Sequence, residues 1–155
     1  MKKCKNKTKT RCYLFLGLAL AVTAFIISQS LKNGAQSGAM SHSIAAFLKP
    51  LLDPGNRFSE AGFHLFLRKA GHFTEFFALG LCWGGFAYHL GKLKGRGYIA
   101  LPMLLTVSTA VADEFVQYFV GRGSMVTDVV LDISGAMTGL LIVFVINLLV
   151  RRKGA

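Results

Sequence analysis

The chain has 155 residues, of which 53% are hydrophobic and 16% charged, and its mean hydropathy is +0.50. The length holds one domain, 1–155, and the composition excludes an ordinary soluble fold, which carries more charge and shorter apolar runs. Eighteen Lys and Arg against seven Asp and Glu give a net charge of +11. These cations sit in short clusters beside apolar segments, which fits a membrane surface and argues against nucleic acid as a partner.

Residues 1–12 carry six basic residues and no acid, and an apolar run follows from Tyr13 to Leu31. A bilayer core takes about 20 helical residues, so 13–31 reads as a first span. A basic start before an apolar run also resembles a signal peptide, but Asn33-Gly34-Ala35 is a poor cleavage site, and a retained anchor is expected. From Gly34 to Ser43 the composition predicts a turn-rich stretch. Ile44, Phe47, Leu48, Leu51 and Leu52 then fall on one helix face, and Asp53-Pro54-Gly55-Asn56 stops it. Phe63, Phe66 and Leu67 mark a second short amphipathic helix after Ser59, a candidate N-cap. Both pieces belong to the first outer loop, either on the bilayer surface or against the bundle.

Three more spans follow, at about 70–90, 98–120 and 126–150. Gly80 and Gly84, like Gly135 and Gly139, stand four apart, a spacing that lets helices approach closely. Pro102 lies in the first turns of its span, where a missing N–H is tolerated. The fold class expected is all-α: a polytopic membrane protein with four transmembrane helices. The N-terminus, the 92–96 loop and the C-terminus hold six, three and three basic residues, which puts both termini in the cytoplasm. Tyr13, Tyr88 and Tyr98 would then lie at the inner interface and Tyr118 near the outer one. Cys4, Cys12 and Cys82 have no paired spacing and read as free thiols.

The polar residues break this apolar pattern at related depths. Glu75, Asp113 and Asp132 fall on three different spans, each roughly 7–11 Å below the outer surface at about 1.5 Å per residue. With Glu114 and Asp128 they make five of the seven acids in the chain. Such groups face a bundle interior or a water-filled cavity. Asp128, Asp132, Gly135 and Gly139 share one helix face, Asp113 and Gln117 are four apart, and Lys69, His72 and Glu75 follow at intervals of three.

Three chemistries fit that set. One is an ion-pair network that fixes helix register, with Arg122 and Lys69 on Asp128, Glu114 or Glu75. One is a ligand pocket, since five acids face two strong bases and one histidine. One is acid–base catalysis by His72, Glu75 or Glu114. A metal is not expected: His72-x-x-Glu75 is a single pair, in the reverse order of the Glu-x-x-His used by di-iron bundles. Ser124 and Ser134 lack a nucleophile motif. His42, His64 and His89 stand apart and read as surface or interface residues.

Taken together, Lys69-x-x-His72-Phe73-x-Glu75, Asp113-Glu114-x-x-Gln117, Gly121-Arg122 and Asp128-Val129-x-x-Asp132 with Gly135 and Gly139 resemble the VanZ-like family of bacterial membrane proteins. Ser28-Gln29-Ser30, Ser37 and Ser41 resemble that family's opening loop, and the likeness covers about residues 15–145. Phe76, Val120 and Asp132 stand where the family usually has Tyr, often Pro, and commonly Asn. The resemblance implies association with the bacterial cell membrane and a contribution to resistance against teicoplanin-type glycopeptides. It implies no reaction and no cofactor. The expected function is an outward-facing pocket of Lys69, His72, Glu75, Asp113, Glu114, Gln117, Arg122, Asp128 and Asp132. Its partners beyond the lipid bilayer would be a lipid-linked cell-wall precursor, a phospholipid headgroup or a lipoglycopeptide. The alternative is an intramembrane enzyme acting on a lipid headgroup.

Overall fold

The computed structural model describes residues 2–153, with the side chains of residues 2–4, 151 and 153 left aside. Among the described residues all regular structure is helical: α1 (Lys2–Ser30), α2 (Gly34–Leu52), α3 (Glu60–Lys94), α4 (Ala100–Phe119) and α5 (Val126–Lys153). Cys12 and Cys82 are free thiols, and Cys4 falls outside the described side chains.

α3 is the central helix. It packs against each of the other four, most extensively against α5 and then α1. Glycines make the α3–α5 contact close. A methyl group at Gly80 would collide with the Ala136 carbonyl, one at Gly139 with the Phe77 carbonyl, and one at Gly135 would come within 2.5 Å of the Phe73 carbonyl. Asp128 meets Arg68 and Lys69, Asp132 meets His72, and Leu140 and Val143 meet Gly84. Contacts therefore advance along both helices together, and α3 and α5 run in parallel. Phe15 near the start of α1 touches Gly85 and His89 toward the end of α3, while Ser30 at the end of α1 touches Asp113 on α4. So α1 and α4 run opposite to α3 and α5.

α1 and α5 are long and apolar enough to cross a membrane, over Lys5–Ser30 and Val126–Val150. α3 and α4 carry most of the polar cluster and fall short of that measure. On α4 the sides divide cleanly. Thr106, Thr109, Ala110, Asp113 and Gln117 are buried, while Leu104, Val111, Phe115 and Phe119 are exposed. A polar interior inside an apolar surface is what a lipid-facing helix requires and what a water-facing one avoids.

Two sequence expectations are corrected in the first loop. Gly34–Ser43 is helical, not turn-rich, because Asn33 closes a capping box: its side chain accepts from Gln36 N–H at 2.9 Å while Gln36 Oε1 accepts from Asn33 N–H at 3.3 Å. The stretch after Ser59 is not a separate short helix. Ser59 caps it as expected, through Gly62 N–H at 3.2 Å, but it continues unbroken into the span as α3. The loop therefore holds one helix. Ile44, Phe47, Leu51 and Leu52 on its apolar face are exposed and only Ala45 is buried. His89 is also corrected: it is buried, stacked on Phe15 with ring centroids 5.6 Å apart.

Candidate functional site

The site lies where the last turn of α1, the first half of α3, the end of α4 and the start of α5 meet. The short turn between α4 and α5 brings its parts together. Gly121 and Gly123 adopt left-handed φ values of 73° and 53°, which a side chain resists. Between them Arg122 turns inward, and its Nη1 donates to the Gln29 carbonyl at 3.0 Å. Glu114 Oε2 accepts from the Met125 N–H at 3.1 Å, which fastens the start of α5 to α4.

Asp128 is neutralised by two cations from α3. Arg68 Nη2 lies at 3.0 Å and Lys69 Nζ at 2.8 Å, and the carboxylate side chain is only 3% exposed. Of the ion-pair network expected from sequence, the Lys69–Asp128 pair is present, with Arg68 as an added member. One turn further along, His72 Nδ1 lies 3.3 Å from Asp132 Oδ1 and 3.6 Å from Asp113 Oδ2. Asp113 in turn accepts from the Ser30 hydroxyl and from Gln117 Nε2 at 2.8 Å.

Arg122 makes no ion pair among the described residues, contrary to the expected pairing with an acid. Burial, and then the Arg68 charge, lower its pKa from the ordinary arginine value. It remains a cation at neutral pH, and an anion brought beside it would offset both penalties.

A cavity of about 920 Å³ opens beside these groups. Gln29, Ser30, His72, Glu75, Asp113, Gln117 and Arg122 line it from α1, α3, α4 and the α4–α5 turn, and Ser37, Ser41, His42 and His64 from α2 and the α3 extension. Nine predicted site residues thus separate into three groups. Lys69 and Asp128 form the ion pair, His72, Glu75, Asp113, Gln117 and Arg122 line the cavity, and Glu114 and Asp132 stand behind it. By donor type, His72, Asp113, Glu114 and Asp132 are suited to hold a cation, with one atom of each within 4.8 Å of the others.

A family model described as VanZ/LLP1 matches residues 13–147. The chain belongs to the VanZ-like family. No curated protein and no solved structure matches it. Every group of this VanZ-like site falls within the matched segment.

Sequence reasoning missed Ser30 and Gln29 as site members, Arg68 as an ion-pair partner, and His42 and His64 as cavity residues. His42 and His64 stack with centroids 4.4 Å apart, and Ser41 Oγ lies 3.1 Å from His64 Nδ1. For Ser30 the signal was there: a polar Ser-Gln-Ser closing an apolar run. For Arg68 it was the spacing of four to His72, which puts both on one helix face.

Proposed function

We propose that this VanZ-like chain crosses the bacterial cell membrane four times, by α1, α3, α4 and α5, with both termini cytoplasmic. Its cavity opens outward and binds the anionic headgroup of an envelope lipid, a lipid-linked wall precursor or a lipoglycopeptide. Several features support the topology. The four helices alternate in direction and carry exposed apolar side chains. At the end opposite the cavity, Lys92 lies over the Tyr88 ring at 4.6 Å and Arg96 over the Tyr98 ring at 4.9 Å. Cations and tyrosines grouped in this way suit a cytoplasmic interface.

The observation that carries the ligand reading is Arg122, a half-buried guanidinium on the cavity wall with no carboxylate within ion-pair distance among the described residues. Guanidinium grips phosphate or carboxylate with two parallel hydrogen bonds. Asp113, Gln117 and the serines of α2 are placed to take hydroxyls and amines of the same ligand. Occupancy by a wall precursor or lipoglycopeptide is also how a contribution to glycopeptide resistance would arise, as the family likeness implies.

The test is mass spectrometry of lipids co-purifying with the protein in mild detergent. Wild type should retain a discrete anionic lipid that Arg122→Ala loses. Identical lipid complements would exclude the headgroup site.

A second reading rests on His72, which sits between Asp113 and Asp132 as an acid–base group would. It makes the chain an intramembrane enzyme on a lipid headgroup. Turnover of a bound lipid, abolished in Glu114→Gln, would favour it.

A further inference from the structure

Behind the cavity wall, four side chains of ligand type converge, and three of them keep polar atoms without a hydrogen bond. Glu114 Oε1 and Asp132 Oδ2 are buried without a hydrogen-bond partner among the described residues, and His72 Nδ1 and Asp132 Oδ1, 3.3 Å apart, face each other without a well-formed hydrogen bond. Asp132 is 0% exposed and Glu114 3%. An unsatisfied buried polar group costs about 1–3 kcal/mol, and more when charged. Such a cost repeated within one cluster calls for an occupant.

The surrounding bonds aim these atoms inward. Glu114 gives one oxygen to the Met125 N–H and leaves the other facing the cluster. Asp113 is steadied by Ser30 on Oδ1 and by Gln117 on Oδ2, the oxygen that also faces His72 at 3.6 Å. Carboxylates that bind metals are held in this way by outer hydrogen bonds, which fix the ligand and leave lone pairs free. Charge points in the same direction. Asp128 already has Arg68 and Lys69, and Arg122 forms no ion pair, so three carboxylates face one imidazole.

We propose that His72, Asp113, Glu114 and Asp132 bind one divalent transition-metal ion. Their four ligand atoms lie within 4.8 Å of one another. Ligands at about 2.0–2.2 Å from a metal stand about 3.4 Å apart in a tetrahedron and up to about 4.4 Å apart when opposite one another, so the side chains would draw together by up to about 1.4 Å on binding. One imidazole with three carboxylates suits zinc or manganese, whereas magnesium and calcium take oxygen alone. His72 and Asp113 also line the cavity, while Glu114 and Asp132 do not. The ion would therefore lie at the wall of the cavity that Arg122 also lines. This site stands whether or not the headgroup reading holds.

The experiment uses the full chain purified in detergent after growth with added zinc or manganese. Elemental analysis should find about one zinc or manganese per chain in wild type, and at least a fivefold loss in both His72→Ala and Asp132→Asn. After chelation, adding zinc or manganese to wild type should raise the melting temperature by several degrees, and equimolar magnesium should not. This second arm needs no variant, so a variant that fails to fold leaves the inference exposed to refutation. Wild type without bound metal and without a metal-dependent shift overturns it. So does equal metal content in wild type and folded variants, which would put the ion on other groups such as the cysteines.

Discussion

Arg122 Nη1 donates to the main-chain carbonyl of Gln29 across 3.0 Å, tying the α4–α5 turn to the last turn of α1. The bond spans 93 residues of sequence and uses one of the five N–H donors of the guanidinium. The same side chain thus braces the cavity rim and keeps most of its hydrogen-bonding capacity for a ligand.

Arg122→Lys separates these two roles. An ammonium group keeps the charge and can still reach a carbonyl, but it cannot offer a planar pair of donors. We expect membrane abundance close to wild type and ligand occupancy at least tenfold lower, about 1.4 kcal/mol. Full occupancy at normal abundance would reduce Arg122 to a brace.

The α3–α5 seam predicts a graded glycine series. Gly80→Ala and Gly139→Ala push a methyl group into main-chain carbonyls of the facing helix, which cannot move aside alone. Each should destabilise the protein by about 1–3 kcal/mol, seen in thermal unfolding in detergent. Gly84→Ala meets only the side chains of Val143 and Leu140, at 3.2 and 3.3 Å, and should cost less. Gly38→Ala on α2 meets nothing within 4 Å and should be neutral or stabilising. Equal losses at all four positions would contradict the close seam.

Asp53 ends α2 and accepts the Phe58 N–H at 2.9 Å and the Arg57 N–H at 2.8 Å. Those two main-chain bonds, Phe58's first, hold its carboxyl pKa below the ordinary aspartate value. A lowered folded pKa stabilises fully above the unfolded value of about 3.9, and that contribution is lost as pH falls through the folded value. The α2–α3 turn should therefore keep its protection from pepsin as pH drops to about 4 and lose it only below that. In Asp53→Asn this acid-triggered step should vanish. If the step persists unchanged in the variant, another group controls the turn.

Single cysteines in a Cys-free background test the proposed topology. Ser37 and Gly123 should react with an impermeant reagent added outside cells, and Lys94 should react only after permeabilisation. The reverse pattern would turn the protein over in the membrane and leave the cavity facing the cytoplasm.

The sequence shows some of these relationships better than others. The shared face of Asp128, Asp132, Gly135 and Gly139 was legible because helical periodicity alone dictates it, and all four do face α3. The extent of α3 was not. Hydropathy falls at Arg68 and Lys69, so the apolar run appears to begin at Ala70, yet nothing there interrupts a helix. Apolar composition reports where lipid begins; helix continuity depends on backbone-breaking residues, and Asp53-Pro54-Gly55 supplies them only before Ser59. The Ser30–Asp113 bond was beyond reach for another reason: the phase of α1 against α4 is set by packing across the whole bundle. A cation at His72, Asp113, Glu114 and Asp132 was not expected from sequence because these residues form no repeated ligand motif and come from three different helices.

α3 runs 35 residues from Glu60 to Lys94 without a break, about 52 Å at 1.5 Å per residue and well beyond a hydrocarbon core of about 30 Å. It is therefore one continuous rod, longer than a membrane crossing would need. Arg68, Lys69, His72 and Glu75 are fixed to that rod at successive turns. A push or a twist applied at its free end, through α2 or the 53–59 loop, would reach all four as one rigid displacement. The α2–α3 loop is thus joined to the interior of the bundle through one unbroken helix.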